Sequence, residues 1–341
     1  MQNHAIIVGA GIGGLATAIA LGKTGWSVTV RERADIPTTG GTAVGMWPEA
    51  MRALDAIGVG DTVRRHSALS HGATILDPSG RLIARVPSSR SAHLIARERL
   101  VRILLDAVPP NTIHWSREVK PTDSLPESDL VVGADGIHSA VRLRTWGSPV
   151  ERPLPTIAFR GVVDRGVEAV TETWGRGALF GITPTGDGRT NWFACLRHSH
   201  LEQSGADDVQ TLRRRFSEWH LQIRRVLDGI SSGDVDRRCL ADVSLRHPYF
   251  RGNTVLVGDA AHAMAPNLGR GACEALVDAV VLAQALRSSG TIRQGLRRYD
   301  RARRAPTRRM VAMARILNRV ATADQGAPAR DRMLRLGLRS W

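Results

Sequence analysis

The chain passes from Ala5-Ile6-Ile7-Val8 straight into Gly9-Ala10-Gly11-Ile12-Gly13-Gly14, and then into the apolar run Leu15 to Lys23. Four apolar residues bounded by glycine read as a short buried strand, and the run beyond the glycines reads as a helix. Trp26 to Arg31 alternates as a second strand and ends at Glu32. Together these segments form a β–turn–α–β unit with glycines at Gly9, Gly11 and Gly14. The first glycine permits a sharp turn, the second lets backbone approach a pyrophosphate, and the third lets the helix pack closely on the sheet. Ile12 and Gly13 lie at the helix start, where unsatisfied backbone N–H groups face an anion. A carboxylate at Glu32, with Arg33 beside it, is placed to accept from the hydroxyls of an adenosine ribose. The unit therefore predicts binding of an adenine dinucleotide.

A second loop stands at the other end of the chain: Gly258-Asp259-Ala260-Ala261-His262-Ala263-Met264-Ala265-Pro266-Asn267-Leu268-Gly269-Arg270-Gly271. It follows the apolar strand Asn253 to Val257 and opens a long helix near Ala272. Two strand–loop–helix elements so far apart suggest one long cofactor gripped from both sides. Asp259, at a strand end, is placed to accept from ribityl hydroxyls. Gly258, Gly269 and Gly271 keep the loop free of side chains where a flat ring would sit. A helix starting near Ala272 aims its positive end at that ring, and a reduced flavin carries negative charge there. The pair of loops points to FAD in preference to NAD as the bound dinucleotide.

Between the loops, Met46 to Ile57 and Glu98 to Ala107 read as helices. Ala73 to Val86 reads as a hairpin turning at Asp77-Pro78-Ser79-Gly80. Leu130 to Val132 is a buried strand running into Gly133-Ala134-Asp135-Gly136. From Thr156 to Leu196 the chain is strand-like with Gly, Pro and Thr turns, two helices follow between Asp208 and Leu227, and everything beyond Val255 is helical. The expected fold is α/β: a Rossmann-like FAD-binding domain (1–70, 91–150 and 251–341), interrupted by a mostly β substrate domain (71–90 and 151–250), with C-terminal helices.

The chain has 341 residues, 43% of them hydrophobic, and a formal charge of +15. Of the 47 basic residues only Lys23 and Lys120 are lysine, an arginine bias that reads as genome composition at solvated positions. No nucleic-acid module accompanies the charge, so no nucleic-acid partner is expected. Neither a signal peptide nor a membrane-spanning run is visible, which makes cytoplasm the default location. Cys195, Cys239 and Cys273 form neither a metal spacing nor a disulfide framework, and no metal is expected.

Three separated motifs now carry a family resemblance: the glycine fingerprint with Glu32, the segment Gly133-Ala134-Asp135-Gly136-Ile137-His138-Ser139-Ala140-Val141-Arg142, and the run Gly258 to Gly271. Leu94 to Leu100 and Tyr299 to Arg304 agree with it. The chain resembles the single-component (class A) FAD-dependent monooxygenases of the p-hydroxybenzoate hydroxylase fold. The resemblance implies that Arg97 lies along the ribityl–pyrophosphate portion of FAD. It implies that Asp135 serves both FAD and NAD(P)H use, and that Pro266 flanks the place where oxygen adds to the flavin. Asp135 and Pro266 are thus the catalytic positions, with no protein acid or base assigned.

The implied reaction is hydride transfer from NADPH or NADH to the flavin, formation of a C4a-hydroperoxide with O2, and delivery of OH to an electron-rich carbon. Such a site must exclude water. The implied substrate is a small aromatic molecule, or an alkene to be epoxidised, in keeping with secondary metabolism. Alternatives are a reductase or dehydrogenase of the same fold, and a silent FAD-binding protein that sequesters a ligand.

Arg160, Trp174 and Trp192 are the substrate-pocket candidates of the β region. The segment Pro37 to Thr42 lacks the arginine or glutamate often found before the mobile loop, which leaves its contact with NAD(P)H open. His262 reads as a structural residue without an orienting partner. Thr307 to Ala321 places Met310, Met313, Leu317 and Val320 on one helical stripe among arginines. Docking on the FAD domain is the expected use of that stripe, with a membrane surface as the alternative. A monomer or weak homodimer is expected.

Overall fold

The computed structural model describes residues 2–36, 42–86, 91–124, 127–147, 150–201 and 207–337. A six-stranded sheet runs in the order Phe250–Arg251, Thr254–Leu256, Leu130–Gly133, His4–Val8, Ser27–Arg31, Ile113–His114. All neighbours in it are parallel except the first pair. Its central strands are nearly unbroken apolar runs because helices cover both faces. The helix Ile12–Lys23 and the helix Gly271–Arg287 pack together over it, with Gly13 against Ala275.

The register of this sheet gathers the motifs. Val8 pairs with Arg31 on one side and Gly133 on the other, and Leu256 also pairs with Gly133. The residues that follow these four ends are Gly9, Glu32, Ala134 and Val257. All three motifs therefore leave the sheet at one carboxyl edge, where open α/β sheets bind their ligands.

A seven-stranded sheet runs Asp236–Val243, Glu151–Val163, Thr190–Arg197, Ala178–Pro184, Val170–Trp174, Ala73–Leu76, Leu82–Val86. The hairpin Ala73 to Val86 thus joins the β region from a distance. One face of this sheet is capped by the helices Asp208–Phe216 and Leu221–Asp228. Between them lies an aromatic core, with Phe180 stacked on Trp192 at 5.9 Å and Phe216 edge-on to Phe180 at 5.1 Å. The opposite face meets the end of the long C-terminal helix and the strand Ala43–Met46, whose Ala43 amide donates to Asn191. A three-stranded sheet runs Ala43–Met46, Ala92–Ala96, Ala68–Ser70.

The C-terminal segments merge into one 30-residue helix, Ile292–Ala321, which continues through Pro306. Its first half docks on the six-stranded sheet, where Tyr299 Oη donates to the Leu256 carbonyl at 2.9 Å. Its second half docks on the seven-stranded sheet, where Arg315 pairs with the buried Asp242. This corrects the expectation that Thr307 to Ala321 lies on the FAD domain through Met310, Met313, Leu317 and Val320. The buried stripe is Thr307, Val311, Ala314, Asn318 and Ala321, while Met313 is 60% exposed. Small side chains let the helix sit close to the strands; Leu317 also packs on the sheet, while Met313, Ile316 and Val320 point away. Among the described residues no helix is long and apolar enough to cross a membrane.

Candidate active site

At the carboxyl edge, Glu32 accepts from the Ala10 amide at 2.7 Å and from the Ala34 amide at 2.9 Å. A carboxylate offers about four acceptor sites, so it retains capacity for ribose hydroxyls. Gly14 is required by contact: a Cβ there would stand 1.9 Å from the Gly9 carbonyl oxygen. Gly11 is different, because a Cβ there would meet nothing within 4 Å. That open space beside the first turn of Ile12–Lys23 suits a pyrophosphate. Ile12 buries its side chain, so its contribution to a ligand would come from backbone. Arg33 is exposed at the rim.

Asp135 sits in the middle motif with both carboxylate oxygens engaged. Ser139 Oγ donates to one, and the Val141 amide donates to the other at 3.1 Å. Burial pushes this carboxyl above its ordinary range, and those hydrogen bonds pull against the shift. The arrangement shapes the loop before the helix Ala140–Trp146. Arg142, 1% exposed, ties the motifs together, donating to the carbonyls of Ile137 and of Ala260 and pairing with Glu151. Sequence reading quoted Arg142 without giving it this role.

The far loop begins with Gly258 at φ 58°, after which Asp259 opens the short helix Asp259–His262 and projects into the cleft as an exposed side chain. Across the cleft stands Arg97, the first residue of the helix Arg97–Ala107. Burial lowers the Arg97 guanidinium, and the Asp259 carboxylate counters that fall. Arg160 and Asp236 of the seven-stranded sheet also act on Arg97, which brings that sheet and the far loop to one place. Pro266 is exposed at the start of a turn, Pro266–Leu268, that ends at Gly269 in the left-handed region. Gly271 begins the helix Gly271–Arg287, with Ala272 in its first turn. Asn267 of this turn accepts from Asn318 at 3.0 Å, and Asn318 also donates to Thr156 Oγ1 at 3.1 Å. The loop is thereby pinned to the seven-stranded sheet.

His262 does have an orienting partner, contrary to the sequence reading. Its Nε2 lies 2.6 Å from Asp278, which also accepts from the Gly258 amide and from Arg303. Sequence reading missed this group because Asp278 and Arg303 lie on two later helices. Arg270 pairs with Glu274 and Glu49. Cys273 donates to the Gly45 carbonyl at 3.0 Å, and burial pushes its thiol up to about 11.

Of the pocket candidates, Arg160 and Trp174 face the cleft side of the sheet, and Trp192 does not. Trp192 is fully buried in the core against Phe180 on the helix-covered face. Strand parity places its side chain on the far side from Arg160, and it is withdrawn as a pocket residue. The segment 37–41, part of Pro37 to Thr42, lies outside the described residues. Among the described residues, no three His, Cys, Asp or Glu side chains are grouped to hold a metal.

These residues fit FAD from end to end: spare ribose acceptors at Glu32, open space at Gly11, a carboxylate at Asp259, and a helix N-terminus at Gly271. The family model described as FAD binding domain matches residues 2–314. The chain is 34% identical over 325 residues to the aurachin C monooxygenase/isomerase of Stigmatella aurantiaca, covering 87% of this chain and 84% of that one. It is 30% identical over 360 residues to the 3-amino-4-hydroxybenzoate 2-monooxygenase of Streptomyces cremeus, covering 97% and 90%. The crystal structure of Klebsiella pneumoniae HpxO with FAD and uric acid superposes with a TM-score of 0.87 at 24% identity, covering 98% and 93%. Fold, cofactor site and relatives agree, and the chain belongs to the class A FAD-dependent monooxygenases.

Proposed function

We propose that the protein is an NAD(P)H-dependent FAD monooxygenase that hydroxylates a small aromatic or heteroaromatic molecule. The observation that carries this reading is the seating of the far loop on the seven-stranded sheet through Asn267, Asn318 and Thr156. It sets a largely apolar sheet face beside the loop expected to hold the flavin ring. The same arrangement supports a division into an FAD domain and a β-rich substrate domain.

In this proposal Gly9, Gly11, Ile12, Gly13, Gly14 and Glu32, with Arg33 at the rim, hold the adenosine and pyrophosphate. Arg97 and Asp259 hold the ribityl portion, and Gly258, Pro266, Gly269, Gly271 and Ala272 surround the ring. Bound FAD, once reduced by NAD(P)H, supplies the oxygen-activating chemistry. The chain's own task is to orient both partners and keep water out. The helix Gly271–Arg287 directs its N-terminal amides at the ring, where negative charge is stabilised. Leu240, Met264 and Leu268 pack around Leu154, Ala265 and Ala314 beside the loop and restrict water there. Asp135 keeps its loop in shape.

The test is NAD(P)H oxidation by FAD-loaded protein under 18O2 with a panel of small aromatics. Faster oxidation with an aromatic and one 18O atom in its product are expected. Product carrying no 18O would overturn the monooxygenase reading.

A further inference from the structure

The cleft-facing side of the seven-stranded sheet contains one transverse row in register. Asp236 pairs with Arg160, Arg160 with Phe193, Phe193 with Gly181, and Gly181 with Glu172. Asp236, Arg160, Phe193 and Glu172 are each partly open to solvent. The next row, Ala158, Cys195, Leu179 and Trp174, is buried beneath Leu317, Ala321 and Leu334. The first row is therefore a trough beside a covered apolar layer. It spans three strand spacings from Arg160 to Glu172, about 14 Å.

Its floor is aromatic. A Cβ at Gly181 would stand 2.1 Å from the Phe193 ring, so the ring lies flat across the glycine. One end is closed by charge, because Arg160 and Asp236 pair at 2.7 Å beside Arg97. The other end is a carboxylate without a cation. Glu172 Oε2 accepts from Trp174 Nε1 at 2.9 Å. Its other oxygen has no protein hydrogen-bond partner among the described residues, and the side chain is partly open to the trough. Burial pushes this carboxyl above its ordinary range, and the Trp174 N–H pulls it partly back. A carboxylate held at one oxygen by Trp174 keeps the other as an acceptor for a donor lying in the trough.

Resting on the aromatic-monooxygenase reading, we propose that Glu172 is the specificity-determining anchor of the substrate. The ligand is a planar aromatic that lies on Phe193 and donates a ring N–H or a phenolic O–H to the free oxygen of Glu172. Trp174 is a positioning residue, fixing the carboxylate through its indole N–H. The proposed substrate class is thus heteroaromatics with an edge N–H, or phenols, and it excludes their N- and O-methylated forms.

The test uses FAD-loaded enzyme and two probe pairs: 4-hydroxyquinoline with 1-methyl-4-quinolone, and 2-naphthol with 2-methoxynaphthalene. Binding is read from the flavin absorption spectrum, with NAD(P)H oxidation alongside. The wild-type enzyme should bind the donor of at least one pair about tenfold to a hundredfold more tightly than its methylated form. Glu172→Met, similar in size and without the acceptor, should reduce that preference to about threefold or less, with FAD content unchanged. Glu172→Gln should fall between the two. Wild-type preference retained in Glu172→Met would overturn the proposal alone. If the wild-type enzyme bound no probe and none raised its NAD(P)H oxidation, the proposal and the aromatic reading would both fall.

Discussion

The imidazole Nε2 of His262 lies 2.6 Å from a carboxylate oxygen of Asp278, and both side chains are closed off from water. The same carboxylate holds the Gly258 amide at 2.8 Å and Arg303 at 2.6 Å. One acidic side chain thus fixes the first residue of the far loop, the end of its short helix, and the long C-terminal helix. Removing one partner of a buried ionic group leaves the others uncompensated. Asp278→Asn should cost about 3–5 kcal/mol. Urea unfolding of the FAD-free protein measures that loss, and a cost under about 1 kcal/mol would mean the group is not a fastener.

The same carboxylate makes stability depend on acid. Burial alone would raise Asp278, yet the charges of His262 and Arg303 hold it at about 2, against an ordinary 3.8. A carboxyl depressed on folding stabilises the native state above its unfolded value. That contribution is lost as pH falls from about 4 toward 2, and it amounts to about 2 kcal/mol. Melting temperature followed from pH 5 to pH 2.5 should fall more steeply for wild type than for Asp278→Asn. Parallel curves would assign acid sensitivity to other groups.

Gly11 and Gly14 separate cofactor binding from folding. At Gly14 a Cβ collides with the Gly9 carbonyl, so Gly14→Val should destabilise the protein whether or not FAD is added. At Gly11 a side chain enters open space, so Gly11→Val should leave the melting temperature of FAD-free protein unchanged and weaken FAD binding at least about tenfold. Asp259→Ala, which removes the exposed carboxylate opposite Arg97, should also yield protein depleted of FAD. Differential scanning fluorimetry with and without FAD distinguishes these outcomes. Full yellow occupancy of the Gly11→Val protein would contradict the cradle.

The three thiols should differ in reactivity. Burial pushes Cys195 up to about 12 and Cys273 up to about 11, while Cys239 is exposed. The thiolate is the reacting species. A thiol-specific reagent at pH 8 should therefore modify Cys239 quickly and the other two only on unfolding. Fast modification of Cys273 would show that the packing around Gly45 is open.

The cofactor end of the site was legible because its residues are local. Each motif is a strand end followed by a loop, and parallel pairing alone brings the loops together. The group around Asp278 was hidden, since an acid inside the apolar helix Gly271–Arg287 does not announce which later helix supplies its arginine. Trp192 was misplaced for a simpler reason: the alternation of a strand gives two faces without saying which one meets a helix. The C-terminal helix misled through hydrophobicity. Its contact stripe is built of threonine, valine, alanine and asparagine, because close approach to a sheet rewards small side chains over large apolar ones. Glu172 was overlooked although it stands two residues from Trp174, because a lone acid in a strand reads as an ordinary surface charge until its neighbours are known.

The helix Ile292–Ala321 is about 45 Å long at 1.5 Å per residue and lies across both sheets. It works as a splint that ties the two sheets to one element. Its backbone ladder loses one rung, at Pro306, close to where the helix crosses from one lobe to the other. A splint with a single soft joint permits flexing there and resists it elsewhere. A change in the angle between the two sheets would therefore pivot at Pro306, with the helix rigid on either side of it.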